Sequence, residues 1–97
     1  MRVIAKRTLR EFWEKHPDAE QSLKAWFAEA EDATWHDPAE IKAQYGSASI
    51  LKGNRMVFNI CGNKYRLVVK VNYGGTVVFI RFVGTHKEYD AIDAEVI

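Results

Sequence analysis

Residues 55 to 83 have the sequence RMVFNICGNKYRLVVKVNYGGTVVFIRFV, and this segment sets the architecture of the chain. It is rich in β-branched and aromatic residues, which favour strands, and two short glycine-containing turns interrupt it, Gly62-Asn63 and Gly74-Gly75. Such turns join antiparallel neighbours, so we predict a β-meander. Its three strands are expected at Arg55 to Cys61, Lys64 to Tyr73 and Thr76 to Val83.

The residues before this segment have helical periodicity. A first helix is expected to begin close to Thr8, because Thr8-Leu-Arg-Glu11 fits a capping box. Its apolar face repeats at helical spacing and consists of Leu9, Phe12, Trp13 and His16. Pro17-Asp18 opens a second helix. The stripe of that helix consists of Leu23, Trp26, Phe27 and Ala30.

Two shorter elements complete the expected fold. Asp37-Pro38-Ala-Glu40 predicts a third helix that ends at Gly46, and Val3-Ile4-Ala5 is expected to form an edge strand. A chain of 97 residues is long enough for one two-layer core. We therefore predict a single α+β domain, residues 1–97, in which N-terminal helices pack on a C-terminal antiparallel β-meander.

Basic residues are concentrated in the second half of the chain. Residues 50 to 87 contain seven Lys or Arg and no Asp or Glu, whereas the first 49 residues contain seven basic and nine acidic side chains. Cations without local acidic partners favour an external polyanion or an acidic protein partner over a merely solvated surface.

Alternation along the strands separates a core face from an outer face of the sheet. In the middle strand, Tyr65, Leu67, Val69 and Val71 suit the core, and in the last strand Val78, Ile80 and Phe82 do so. Phe79 and Arg81 are then left on the outer face with Arg66, and Asn59 is a plausible neighbour. The pattern thus predicts two arginines on one open face of the sheet.

A candidate catalytic cluster follows the last strand. Thr85-His-Lys-Glu88 is a capping-box pattern that places His86 in the first turn of a short helix, with Tyr89 three residues further on. Cleavage of RNA by its own 2′-hydroxyl needs a proton acceptor, a proton donor for the 5′-oxygen and cations for the phosphorane. The candidates for these roles are Arg66, Arg81, His86 and Tyr89, and the expected RNA contacts are Lys64, Lys70, Lys87, Asn59 and Arg55.

Several classes of site are excluded by the sequence. Cys61 is the only cysteine, so there is no internal disulfide, and we expect a buried, inert thiol within a strand. No Cys/His or carboxylate cluster has ligand spacing, so we predict neither a metal site nor a cofactor. Because there is no apolar run long enough for a membrane span and no signal-peptide pattern, we expect a cytoplasmic protein without membrane contact.

Three segments of the chain resemble HigB toxins of bacterial type II toxin-antitoxin systems. They are VFNI at 57–60, GNKYRL at 62–67 and IRFVGTHKEYD at 80–90. The resemblance extends over nearly the whole chain and implies a RelE/ParE-like fold and an endoribonuclease that cleaves messenger RNA, in related toxins commonly on the translating ribosome. It also implies a HigA-type antitoxin with a helix-turn-helix domain, through which alone operator DNA would be contacted.

The resemblance leaves the catalytic roles open, because toxins of this superfamily reach similar chemistry with different side chains. Some relatives end in a cluster with two histidines, whereas only His86 lies there in this chain, so the general base is His86, Lys64 or Tyr89. The Gly74-Gly75 turn is also short for the family and would shift the register of the last strand and the position of Arg81.

Two other functions remain open at this point. One is a non-catalytic toxin of the same fold that inhibits a protein target such as DNA gyrase, as ParE-like relatives do. The other is a plain RNA-binding module in which aromatic residues stack on bases, for which Phe79 and Tyr73 are the candidates.

Overall fold

The computed structural model describes all 97 residues. The helices are α1 (Lys6–Lys15), α2 (Glu20–Asp32), α3 (Pro38–Gln44) and α4 (His86–Asp90), and a 3₁₀ turn at Pro17–Ala19 leads into α2. The strands are β1 (Arg2–Ile4), β2 (Ser49–Leu51), β3 (Arg55–Ile60), β4 (Tyr65–Asn72) and β5 (Val77–Thr85). None of the helices has the length and apolar composition that crossing a membrane requires.

The strands form one five-stranded sheet in the order β1-β5-β4-β3-β2. The predicted meander is confirmed as the antiparallel centre of this sheet, and β1 pairs with β5 in parallel at one edge. The other edge strand, β2, was not predicted, because three residues are too few to show a periodic pattern. The predicted α+β class is therefore confirmed.

The start of the first helix differs from the prediction. α1 begins at Lys6 with Ala5 as its N-cap, and no side chain caps it, so the predicted capping box at Thr8 is wrong. Glu11 instead accepts a hydrogen bond from Nε of Arg7, 2.8 Å away, one helical turn earlier. β1 ends at Ile4 and α1 already begins at Lys6, so Thr8 lies inside the first turn of the helix and its side chain cannot cap the N-terminus.

Helices and sheet share one core of 17 buried residues. Phe58 of β3 lies at its centre, where its ring meets the edge-oriented rings of Trp26 in α2 at 5.4 Å and Tyr45 after α3 at 5.1 Å. One side chain of the sheet thereby fixes two helices, and such aromatic pairs add to the free energy gained from burial.

A β-bulge interrupts the pairing of β4 with β5. Val68 pairs with Phe82 and Val69 pairs with Ile80, so Arg81 is an extra residue without a partner. The residues that follow are displaced by one position, and Phe82 lies on the outer face against Val57 and Val68. The prediction that Phe82 faces the core is wrong because it assumed regular alternation.

The C-terminal segment, residues 91–97, covers part of the outer face. Ala94 is buried against Val57 and Val68 there, and Ile97 packs on the same cluster. Arg55 donates from Nε and Nη2 to the main-chain oxygen of Ile97, at 2.9 and 2.6 Å. The prediction that the outer face of the sheet is open is therefore wrong for its middle. The residues at the end of the chain cover this part, because packing there buries the apolar side chains of the sheet.

Cys61 also departs from the expectation of a buried strand residue. β3 ends at Ile60, and Cys61 follows it in the turn with a φ of 56° and a partly exposed side chain. Its Sγ atom lies 3.4 Å from the main-chain oxygen of Asp18.

We predict that Phe58→Ala lowers the free energy of unfolding by about 3–5 kcal/mol, because it removes both aromatic contacts and leaves a cavity. Ile50→Ala on β2 is the matched control: Ile50 is 54 % exposed, and its truncation is expected to cost less than about 0.5 kcal/mol. Urea unfolding of the two variants measures the difference, and equal losses would contradict the central position of Phe58.

Candidate functional site

A groove of about 520 Å³ opens at the end of the sheet where β4 begins and β5 ends. Three parts of the chain form it: the end of α1, the turn between β3 and β4, and the junction of β5 with α4. The lining residues are His16, Asn63, Lys64, Tyr65, Thr85, His86 and Lys87. The groove therefore combines two imidazoles and two ammonium groups, and no carboxylate lines it.

His86 is held in the groove by the cap of α4. Oγ1 of Thr85 accepts a hydrogen bond from the backbone N–H of Glu88 at 3.2 Å, and the Glu88 carboxylate accepts one from the backbone N–H of Thr85 at 2.8 Å. The predicted capping box is thus confirmed. The bond from the Thr85 backbone lowers the pKa of Glu88, so this carboxylate stays ionised and serves the cap. Nε2 of His86 is enclosed and has no hydrogen-bond partner in the protein.

His16 reaches the same groove from the C-cap of α1. Its ring stacks on Phe12 with centroids 4.4 Å apart and lies 5.4 Å from the ring of Tyr65 in β4. The sequence placed His16 on the apolar face of the helix but gave it no functional role. The only signal for His16 in the sequence was its position on the apolar face. Its place in the groove depends on the packing of α1 against the start of β4, which the sequence pattern does not show.

Asp18 organises the wall of the groove from outside it. Its carboxylate accepts hydrogen bonds from Nζ of Lys64 and from Oη of Tyr65, the latter at 2.6 Å. The bond with Lys64 lowers the pKa of Asp18 and raises the pKa of Lys64, and the bond with Asp18 raises the pKa of Tyr65. Lys64 therefore remains an ammonium ion at neutral pH, which suits it to contact a phosphate and makes it a poor general base.

Arg66 and Tyr89 lie together beside the groove. The Arg66 guanidinium is 5.9 Å from the centroid of the Tyr89 ring, and Nη1 donates to Oδ1 of the groove residue Asn63 at 3.3 Å. Asn59 pairs with Arg66 across β3 and β4, and its Nδ2 donates to the main-chain oxygen of Ser47 at 3.3 Å. The cation–π contact with Tyr89 and the hydrogen bond to the side-chain amide of Asn63 together orient the Arg66 side chain.

The remaining predicted residues lie elsewhere. Arg81 and Lys70 line a different cavity, near the other end of β4, and Arg55 is held by Ile97. Lys70 lies five positions after Tyr65 along β4, a distance of roughly 16 Å. The structure therefore brings Lys64, His86 and Lys87 together, places Arg66 and Tyr89 beside them, and keeps Arg81 and Lys70 apart from them. No three His, Cys, Asp or Glu side chains meet in an arrangement that could hold a metal ion.

Comparison with known proteins identifies the family to which this chain belongs. The model of a toxin family, described as the RelE-like toxic component of a toxin-antitoxin system, matches residues 19–92. This chain belongs to that family, the HigB toxins. The resemblance inferred from the sequence is thereby confirmed.

Individual relatives agree with the family match. The chain is 32 % identical over 96 residues to proteins named mRNA interferase toxin HigB in Escherichia coli K12 and mRNA interferase HigB in Shigella flexneri, covering 97 % of this chain and 92 % of each relative. It is 21 % identical over 94 residues to mRNA interferase HigB of Escherichia coli O6:H1, covering 95 % of this chain and 91 % of that relative.

We predict that Asp18→Asn destabilises the fold in a pH-dependent manner. Because the pKa of Asp18 is lowered in the folded protein, the ionised carboxylate stabilises it above the ordinary value of 3.8, and this contribution is lost as the pH falls through the lowered folded value. The urea midpoints of wild type and Asp18→Asn should therefore differ at neutral pH and converge in acid.

The control for this measurement is Glu14→Gln, since Glu14 is exposed on α1 and forms no ion pair. Its midpoint is expected to follow that of the wild type across the pH range. A difference between wild type and Asp18→Asn that stays constant in acid would contradict the role given to the Asp18 carboxylate.

Proposed function

We propose that this protein is an endoribonuclease that cleaves messenger RNA and acts as the toxin of a toxin-antitoxin pair. The observation that carries the proposal is the convergence of His16 and His86 with Lys64 and Lys87 in one groove. Membership of the HigB toxin family and the name mRNA interferase in its relatives support the same activity.

The groove contains the groups that transesterification of RNA requires. One imidazole takes the proton of the 2′-hydroxyl, and the 2′-oxygen attacks phosphorus to form a dianionic phosphorane. The bond to the 5′-oxygen then breaks while the other imidazole donates a proton to that oxygen, so a cyclic 2′,3′-phosphate and a 5′-hydroxyl result. Imidazole suits both tasks because it ordinarily titrates near neutral pH. His86 and His16 share these roles, and neither Lys64 nor Tyr89 is needed as the base.

The cations bind and stabilise the phosphate. Lys64 contributes a fixed ammonium charge, held by Asp18, and Lys87 adds a second one. Arg66 contacts the scissile or the adjacent phosphate from beside the groove. Tyr89 acts through Arg66, because its ring lies against the guanidinium.

The toxin is neutralised by a partner encoded with it. We infer a HigA-type antitoxin with a helix-turn-helix domain, through which operator DNA is contacted, and cleavage in the cytoplasm during translation on the ribosome. Membership of a toxin-antitoxin family supports the antitoxin. The surplus of seven cations in residues 50 to 87 supports an RNA-rich environment as the site of action.

We predict that His86→Gln and His16→Gln each lower the rate of RNA cleavage by roughly two to four orders of magnitude, because each removes one proton-transfer group. His36→Gln is the matched control: His36 is exposed, pairs with Glu40 and lies outside the groove, so this variant is expected to cleave at the wild-type rate. Single-turnover cleavage of labelled RNA, free and on translating ribosomes, measures the three rates. Wild-type cleavage by His16→Gln would remove His16 from the chemistry.

We also predict that induced expression of the wild type arrests growth and creates new messenger-RNA 5′ ends inside coding regions, and that Arg66→Ala reduces both effects. Arg66 is partly exposed and forms no ion pair, so its loss should change activity far more than stability. Mapping of RNA 5′ ends after induction is the measurement. Growth arrest without new RNA ends would instead indicate inhibition of a protein target such as DNA gyrase.

A further inference from the structure

A second cavity, of about 390 Å³, lies on the outer face near the other end of β4. Its lining residues are Asn54, Lys70, Val71, Asn72, Phe79 and Arg81. It shares no residue with the histidine groove, and the C-terminal segment crosses the sheet between them. The cavity is therefore a separate feature of the basic half of the molecule.

Neighbouring positions of β4 and β5 supply the charged and aromatic side chains of this cavity. Lys70 pairs directly with Phe79, and the extra residue Arg81 joins them at the same cavity. The Phe79 ring is half-buried but belongs to neither hydrophobic cluster, so the fold does not use it as core. Neither Lys70 nor Arg81 forms an ion pair with an acidic side chain.

Two asparagines complete the lining. Oδ1 of Asn72 accepts a hydrogen bond from the backbone N–H of Gly75 at 2.9 Å, which holds the side chain in place and leaves its Nδ2 free to donate. The main-chain oxygen of Asn54 accepts a hydrogen bond from the backbone N–H of Val71 at 2.8 Å. This bond anchors the turn between β2 and β3 to β4. The side-chain amide of Asn54 makes no hydrogen bond in the protein, so the cavity offers two amide groups to a ligand, and the one of Asn72 is held in place.

We propose that this cavity binds one nucleotide of single-stranded RNA, with its base stacked on Phe79 and its phosphate held by Lys70 and Arg81. An acidic peptide or a free phosphate would need only the two cations, whereas an aromatic ring flanked by amide groups matches the faces and edges of a base. The inference rests on the proposed function, since the nucleotide belongs to the RNA that the groove cleaves or to the ribosome that presents it.

A nucleotide in this cavity gives Arg81 a role other than the expected catalytic one. Roughly 16 Å of strand separates Lys70 from the groove end of β4, so a nucleotide in the cavity is not the one at the scissile bond. Arg81 then acts in RNA binding and in placing the strand, and the chemistry remains with the histidine groove.

The test is equilibrium binding of a fluorescent 2′-O-methyl RNA oligonucleotide of mixed sequence, which the protein cannot cleave. Phe79→Leu, which keeps an apolar side chain and removes the ring, is expected to raise the Kd by about five- to a hundredfold. Phe79→Trp should retain wild-type affinity, because it restores a stacking surface. The matched control is Phe27→Leu on α2, where another half-buried phenylalanine lies under a lysine, Lys6, with the ammonium 5.0 Å from the ring centroid.

Further arms identify the ligand and its source. A duplex of the same sequence should bind Phe79→Leu and wild type equally, because paired bases cannot stack on the ring. An effect of Phe79→Leu on binding to purified ribosomes and none on free RNA would assign the nucleotide to ribosomal RNA. Unchanged binding to both would overturn the proposal, as would an equal loss for single-stranded and duplex RNA.

The binding measurement, run beside the single-turnover cleavage assay on ordinary RNA, separates this inference from the proposed function. If the wild type cleaves no RNA and Phe79→Leu still weakens single-stranded binding, the ribonuclease assignment fails and the nucleotide site stands. If the wild type cleaves RNA and Phe79→Leu binds as tightly as the wild type, the nucleotide site fails alone.

Discussion

The pairing of β4 with β5 is irregular at one point, and the arrangement of the outer face depends on it. Because Arg81 has no partner in β4, the side chains before it and after it follow different alternations, and Ile80 and Val83 both face the core. Phe82 thereby completes an apolar band on the opposite face, and the end of the chain lies over that band. In a regular strand the residues after Arg81 would each face the other side of the sheet.

The end of the chain divides the outer face, and the basic residues on the two sides of it have different roles. At one end, charges gather around two imidazoles, and at the other end they surround an aromatic ring. Arg55, which pairs with Lys70 of the second cavity, stabilises the protein itself. The acidic side chains nearest the groove are likewise used in the structure, since Asp18 holds Lys64 and Glu88 caps α4. An excess of positive charge in the sequence therefore does not translate into one continuous binding surface.

Local patterns in the sequence were sufficient for most of the fold. The meander, α2, the cap of α3 at Asp37 and the Thr85 capping box depend on neighbours within a few residues, and all were predicted correctly. The bulge, the cover over Val68 and the approach of His16 to His86 depend on packing between distant segments. No periodicity records such contacts, so the candidate site was predicted only in its C-terminal half.

The positions of the tryptophans and of the single cysteine determine which events a fluorescence signal can report. All three tryptophans, Trp13, Trp26 and Trp35, are buried in the core, and none lines the groove or the second cavity. Tryptophan fluorescence should consequently change when the protein unfolds and change little when RNA binds. The only thiol, Cys61, lies two residues before Asn63 of the groove and is partly exposed. A single dye attached there would report on occupancy of the groove without any engineered cysteine.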